Sequence, residues 1–247
     1  MWEKKDAQCD PSDPADRELG SVWDHVGFNP QTKFALTVVP GKRGIRNIRR
    51  LVKDVAARTN FVLPWLISTD MYKPYREILR EVYGIPRPVT RRFRRGRKPL
   101  PRRILPKGMV YAAVHKYRRK GRVVRVLIRR IFGSERQLTA ALKRSTVSRH
   151  VNVAYVERYN ATDRHINSRK GRKVYRFSKD PQMHEAATYY AQAVYNFCRT
   201  NRGLDIKTGP EDDAPVIHRT PAMAQGITDH VWTIKEFARY QACPPVT

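Results

Sequence analysis

Two acidic residues of this chain stand at positions where a carboxylate can do chemistry. Asp70 follows a short apolar run, Val62 to Ile67, and precedes a helical pattern that opens at Pro74. Open α/β sheets bind ligands beyond the carboxyl ends of their strands, so a strand-end aspartate is a candidate ligand residue. A Thr-Asp pair before a proline is equally a turn or helix-capping aspartate. Glu157 can be placed by angle. At about 100° per residue, Val151, Tyr155, Tyr159, Thr162 and Ile166 share one side of a helix, and Val153, Glu157, Asn160, Arg164 and Asn167 fall nearly opposite. A carboxylate beside an amide and a guanidinium suits phosphate and metal, with Arg158, Asn160 and Arg164 as candidate DNA contacts. The plainer reading is a surface glutamate paired to Arg158 or Arg164.

A different chemistry is written between residues 86 and 108. Arg91, Arg92, Arg94, Arg95, Arg97, Lys98, Arg102 and Arg103 lie there among Pro86, Pro88, Pro99, Pro101 and Pro106, with no acid. No core can form from such a stretch. Arg95-Gly96-Arg97-Lys98-Pro99 resembles an arginine hook that enters a narrow A·T minor groove, and the plainer alternative is a basic insertion that touches phosphates without preference. Either way the tract belongs on DNA. Cys9, Cys198 and Cys243 are scattered and lack zinc-ligand spacing, so they are expected to be reduced thiols, Cys198 packed in a helix. The histidines have no paired metal spacing; His184, beside Glu185, is expected to be structural. No phosphate-binding GxxxxGK[ST] loop is present.

The elements that must position these residues follow from periodicity. Val22, Asp24, Val26 and Phe28, an Asn29-Pro30-Gln31 turn, and Phe34, Leu36 and Val38 predict a hairpin. Ile45, Ile48, Leu51, Val52 and Val55 predict a helix over about residues 44–59. Val62 to Ile67 is expected to be a strand buried on both faces beyond Pro64, and Tyr75, Ile78, Leu79 and Val82 a second helix between Pro74 and Gly84. Val110 to His115 and Val123 to Phe132 predict a basic hairpin around Arg118-Arg119-Lys120-Gly121. Asp180 and Pro181 open a long helix reaching about Arg199, its apolar positions being Ala186, Ala187, Tyr190, Ala191, Val194 and Phe197.

The chain has 247 residues, 40 % of them hydrophobic, enough for one sizeable core. A net charge of +28 calls for a polyanionic partner, nucleic acid before a membrane surface. No apolar run approaches the about 18 residues of a spanning helix, and no signal-peptide pattern opens the chain, so no membrane association and a cytoplasmic, nucleoid-associated protein are expected. Four tryptophans and twelve tyrosines imply a larger ordered core than a small ribosomal or chromatin-type basic protein needs.

Several segments together resemble the catalytic region of a DDE transposase of the smallest bacterial and archaeal insertion sequences. They include Cys9 to Pro14, Trp23 to Val26, Val39 to Arg43, Ser68 to Tyr75, Tyr111 to Lys116, Val151 to Asn160, Tyr175 to Lys179, Tyr195 to Arg199, Arg219 to Ala224 and Thr228 to Trp232. Each is short, but their order and spacing are specific. The resemblance implies an α/β, ribonuclease-H-like (retroviral-integrase-like) mixed sheet flanked by helices, with a basic insertion and β-hairpin. It makes Asp70 and Glu157 the second and third catalytic, metal-binding carboxylates of a two-Mg²⁺ site for cleavage and strand transfer of transposon-end DNA. The leading aspartate of that family sits on a first core strand upstream of the segment resembling Lys4 to Pro11. Here that strand is expected to be shortened or missing, the metal site incomplete and the enzyme inactive. Glu3, Asp6 and Asp10 fall after that strand in the family pattern, and Asp24 is the acid to test as a replacement. The implied organisation is residues 1–84 as the first part of the core, 85–135 as basic insertion and hairpin, 136–205 as glutamate helix and long helix, and 206–247 as a tail. Partners would be double-stranded DNA at transposon ends and target, a homodimer, or full-length transposase. The alternative is a non-catalytic DNA-binding remnant or transposition inhibitor.

If residues 91–103 supply the main phosphate contacts, neutralising their basic side chains will flatten the salt dependence of DNA binding. Each lost contact lowers the slope of log K against log salt by about 0.9. An unchanged slope in a salt titration would put the contacts elsewhere.

Overall fold

The computed structural model describes residues 9–10, 12–14, 21–87, 102–171, 175–176, 178, 180–211 and 213–240. The chain divides into two compact units, one of residues 1–42 with 156–247 and one of residues 43–155. Each is described by itself.

The first unit opens with the expected hairpin, β1 (Trp23–Asn29) antiparallel to β2 (Phe34–Gly41), with a bulge between Gly27 and Phe28. The second unit then takes over. Its first helix, α1 (Ile45–Arg58), buries Ile48, Leu51, Val52 and Ala56 on one stripe and leaves its basic residues outside. Asn60 and Phe61, at φ 49° and 57°, reverse the chain after it. The expected buried strand from Val62 to Ile67 is not formed: Val62 is 68 % exposed, and β3 covers only Ile67–Asp70. The left-handed pair and Pro64 keep the chain irregular until Ile67, where the amide donates to the Val110 carbonyl and pairing begins. Along β3 partly covered Ile67 and Thr69 alternate with exposed Ser68 and Asp70, the pattern of an edge strand.

Pro74 opens α2 (Pro74–Tyr83), followed by the short pair β4 (Ile85–Arg87) and β5 (Arg102–Ile104). The strands β6 (Tyr111–Arg119) and β7 (Arg122–Phe132) are antiparallel to each other, and β6 is parallel to β3, giving a mixed sheet in the order β3-β6-β7. Tyr111 to Val114 are buried in succession because both faces of β6 are covered. Tyr111 and Ala113 pack with Ile48, Val52, Ile78, Leu79 and Tyr83 of α1 and α2. Val110, Ala112 and Val114 pack with Leu138 of α3 (Glu135–Arg144), which a Ser134–Gln137 capping box starts. This unit is therefore a mixed α/β layer structure with helices on both faces of its sheet. Arg49 of α1 pairs with Glu81 of α2 at 2.9 Å.

The boundary between units falls in the first turn of α4 (Ala154–Ile166). In the first unit, Tyr159 of α4 is 2 % exposed and clusters with Ala35, Val38 and Tyr195; its ring lies 5.5 Å from Phe28 and 4.8 Å from Tyr195. Asp180 caps α5 (Pro181–Ala193) through the amides of Gln182 and Met183. The long helix expected to reach about Arg199 leaves the α conformation at Ala193 and continues as a π-helical turn, Val194–Cys198. Its buried residues are His184, Thr188, Ala191, Val194, Tyr195 and Asn196, whereas Tyr190, expected inside, is 46 % exposed. Two polar groups displaced the apolar pattern: His184 finds partners in the interior, and the Asn196 amide bonds both backbone groups of Ala35, at 3.0 and 2.9 Å. The short pair β8 (Ile206–Lys207) and β9 (Val216–Ile217), α6 (Pro221–Gln225) with Thr220 as its cap, and α7 (Ile234–Arg239) complete the unit. Among the described residues no helix is long and apolar enough to cross a membrane.

Ile48, 2 % exposed between α2 and the sheet, is a direct probe of the second unit. Ile48→Ala is expected to cost about 2–5 kcal/mol in denaturant unfolding, through lost burial and the cavity left behind.

Candidate functional site

Asp70 is the last residue of β3, opposite Val114 of β6, at the carboxyl end of a parallel pair. Its side chain is 61 % exposed and lies 3.7 Å from the Arg43 guanidinium, itself half-exposed. A pair this open contributes about 0–1 kcal/mol, so little energy ties the carboxylate down. The floor beside it is aromatic. Arg43 stacks over Tyr72 at 4.9 Å, Tyr72 meets Tyr75 edge-on at 6.4 Å, and Thr69 Oγ1 is 2.8 Å from the Tyr111 hydroxyl. Burial, with the Asp70 charge adding to it, pushes the Tyr75 phenol above its ordinary value; Tyr111 is raised by burial against the pull of Thr69. Both phenols are thus neutral hydrogen-bonding groups near a single exposed acid.

Glu157 is exposed in the first turn of α4, where a negative charge complements the helix dipole. Arg158 and Arg164 are exposed and Asn160 is half-buried, whereas Asn167, placed by angle on the same face as Glu157, is buried just past the end of α4. The ammonium of Lys33 donates to Asn201 Oδ1 at 2.8 Å; burial and then the Arg158 charge hold it below its usual pKa. Asp70 belongs to the second unit and Glu157 to the first. Arg91, Arg92, Arg94, Arg95, Arg97 and Lys98 lie outside the described residues. Arg103, counted with that tract, is taken by structure, because its guanidinium donates to the carbonyls of Glu81 and Gly84 at the end of α2.

The polar centre that periodicity did not reveal sits inside the first unit. The Lys170 ammonium is 2.6 Å from Asp163 and 3.0 Å from Asp24, and all three side chains are largely buried. His184 Nε2 lies 3.3 Å from Asp24 Oδ1, and its Nδ1 3.3 Å from the Ser178 hydroxyl. Burial works against the Asp24 carboxylate, yet His184 and Lys170 outweigh it and hold the group below its ordinary pKa. At Asp163 burial prevails over Lys170 and raises the pKa. The sequence signal was faint: Asp163 lies four residues beyond Tyr159 on the buried side of α4.

Asp24, the acid named as a replacement, is engaged with the Lys170 ammonium and the His184 imidazole. Among the described residues no group of three or more histidines, cysteines or acids could hold a metal. No family model, no curated protein and no solved structure matches this chain.

Removing the Lys170 charge should be costly, since it leaves the buried Asp163 without its cation and Asp24 with His184 alone. Lys170→Met is expected to lose about 3–5 kcal/mol near neutral pH. The depressed Asp24 stabilises the fold above its unfolded pKa and loses that contribution as pH falls through the folded value; the raised Asp163 acts in the opposite sense. Without Lys170 both carboxyls move up, so the deficit should shrink as pH falls and they protonate. Urea unfolding of both proteins from neutral to acid pH measures it.

Proposed function

We propose that this chain is a DNA-binding protein built on the ribonuclease-H-like catalytic region of an insertion-sequence transposase, and that alone it binds DNA without cutting it. The observation that carries the reading is Asp70, an exposed and weakly paired acid at the carboxyl end of a parallel strand. It stands in the segment Ser68 to Tyr75 that resembles the second carboxylate motif. The element order in this region supports it too: a hairpin, α1, the edge strand bearing the acid, α2, then a parallel neighbour. Glu157, in the segment resembling the third motif, is exposed on its helix with Arg158 and Arg164 beside it.

The charge supports the partner. At +28, binding to duplex DNA is expected to be strong at low salt and to weaken steeply as salt rises. What argues against cleavage by the chain alone is the donor count. Phosphodiester transfer by two cations needs enough carboxylates to hold both beside a polyanion, and Asp24 is bound to Lys170 and His184. Binding without cutting is favoured over an active enzyme on the donors found among the described residues.

The test is single-turnover nicking of labelled transposon-end DNA with Mg²⁺ or Mn²⁺. The chain as written is expected to bind and not to nick. A protein extended by a first strand with its aspartate is expected to nick, and Asp70→Ala or Glu157→Ala in that protein should abolish nicking and leave binding within about twofold, since one surface charge is one small part of the phosphate contact. Robust nicking by the unextended chain would overturn the reading.

A further inference from the structure

The β6–β7 hairpin has two halves of different character. Its inner half, Tyr111 to Val114 with Phe132, is buried. Its outer half, Tyr117 to Val126, is exposed on both strands. Nothing in the hydrophobic clusters of the second unit covers it: Val123, Val124 and Val126 are 45, 62 and 51 % exposed. β-branched residues sustain strand conformation here without a core behind them. Side chains brace the ribbon locally, with Arg125 over the Tyr117 ring at 5.9 Å and His115 edge-on to the same ring at 4.4 Å.

The tip is built against its own local preferences. Arg119 and Arg122 are direct cross-strand partners, and like charges so placed repel. The turn between them is Lys120-Gly121, both at positive φ, 49° and 78°. Such a two-residue turn favours Asn-Gly, and a lysine in the left-handed region is a poorer choice. Arg118 adds a further cation, and no acid occurs between Glu81 and Glu135. A tip that gathers four cations at the cost of turn and pairing preference is suited to a dense anion.

We propose that the β6–β7 arm is a DNA-reading ribbon that enters the major groove of B-form duplex DNA, with Arg118, Arg119, Lys120 and Arg122 contacting phosphates at the groove edges. A two-stranded ribbon fits a groove about 12 Å wide. The major groove of duplex RNA is too deep and narrow to admit it. A second copy of the chain is a poorer occupant, because pairing along the β7 edge would bring Arg122, Arg125, Arg129 and Arg130 against their own kind. The inference rests on the DNA-binding part of the function proposed above and is independent of any cleavage.

The experiment measures binding of the full chain to a labelled mixed-sequence duplex over a range of salt. Arg119→Gln with Arg122→Gln is compared with Arg136→Gln and Lys143→Gln, which remove equal charge from exposed positions on α3. The arm pair should lower the salt slope by about 1.8, two contacts' worth, and the α3 pair should leave it nearly unchanged. Lys120→Asn should lower the slope by about 0.9 without lowering thermal stability, because asparagine suits the turn better. Methylation of guanine N7, in the major groove, should weaken binding by the wild type and have less effect on the arm pair. Equal slopes for the two pairs, insensitivity to N7 methylation, or equal competition by duplex RNA would overturn the arm assignment while DNA binding stood. So would a dimer that dissociates in the arm pair with its DNA slope unchanged. Failure of the full chain to bind duplex DNA would overturn this assignment and the proposed function together.

Discussion

The first unit depends on one buried cation. Lys170 reaches two carboxylates, Asp24 on β1 and Asp163 on α4, and Asp24 in turn reaches His184 on α5. One ammonium thus ties a strand, two helices and the turn after α4 into a single network. Burying three charges has a large desolvation cost, which only close geometry and further hydrogen bonds offset. The network therefore specifies how these elements meet more than it adds to stability. Ser178 on His184 and the two hydrogen bonds between the Asn196 amide and the Ala35 backbone extend the same logic to the end of α5. The π-helical turn of residues 194–198 is where Tyr195 and Asn196 are both buried.

In the second unit the organising constraint is apolar. β6 carries four consecutive buried residues because α1 and α2 cover one face and α3 the other. β3 joins this sheet for only four residues, as an edge. The short pairing ends at Asp70, and that ending exposes the acid rather than burying it. Had the strand run from Val62 with both faces covered, its apolar residues would have been core, and the edge that now carries Ser68 and Asp70 would have been shielded.

The positive charge is distributed with a division of labour. Arg49 and Arg103 are spent on structure, one on Glu81 and one on the end of α2. Arg43 leans on Tyr72 beside Asp70. Among the described residues, exposed cations gather at the tip of the β6–β7 arm, where no acid is near in sequence. The same residue type thus serves as a cap, a stacking partner and a polyanion contact, according to whether a carbonyl, a ring or only solvent lies within reach.

The sequence by itself determined the local elements whose period is strong. The hairpin about Asn29 to Gln31, α1, α2 and the Asp180-Pro181 start of α5 all lie where alternation, three-to-four spacing and capping residues put them, because those signals depend on neighbours a few positions away. Glu157 on an exposed helical face was legible for the same reason, whereas Asp70, read as following a strand over Val62 to Ile67, is the last residue of a strand that starts only at Ile67. Only the tertiary structure decided that β3 starts at Ile67, since strand formation needs a partner and the first available carbonyl is that of Val110. Only it brought Asp24, Asp163, Lys170 and His184 together from separate segments, making an aspartate that looked like a spare ligand into a buried counter-ion. Polar residues in an interior carry no periodic signature; their place is set by partners far along the chain, which no local pattern contains.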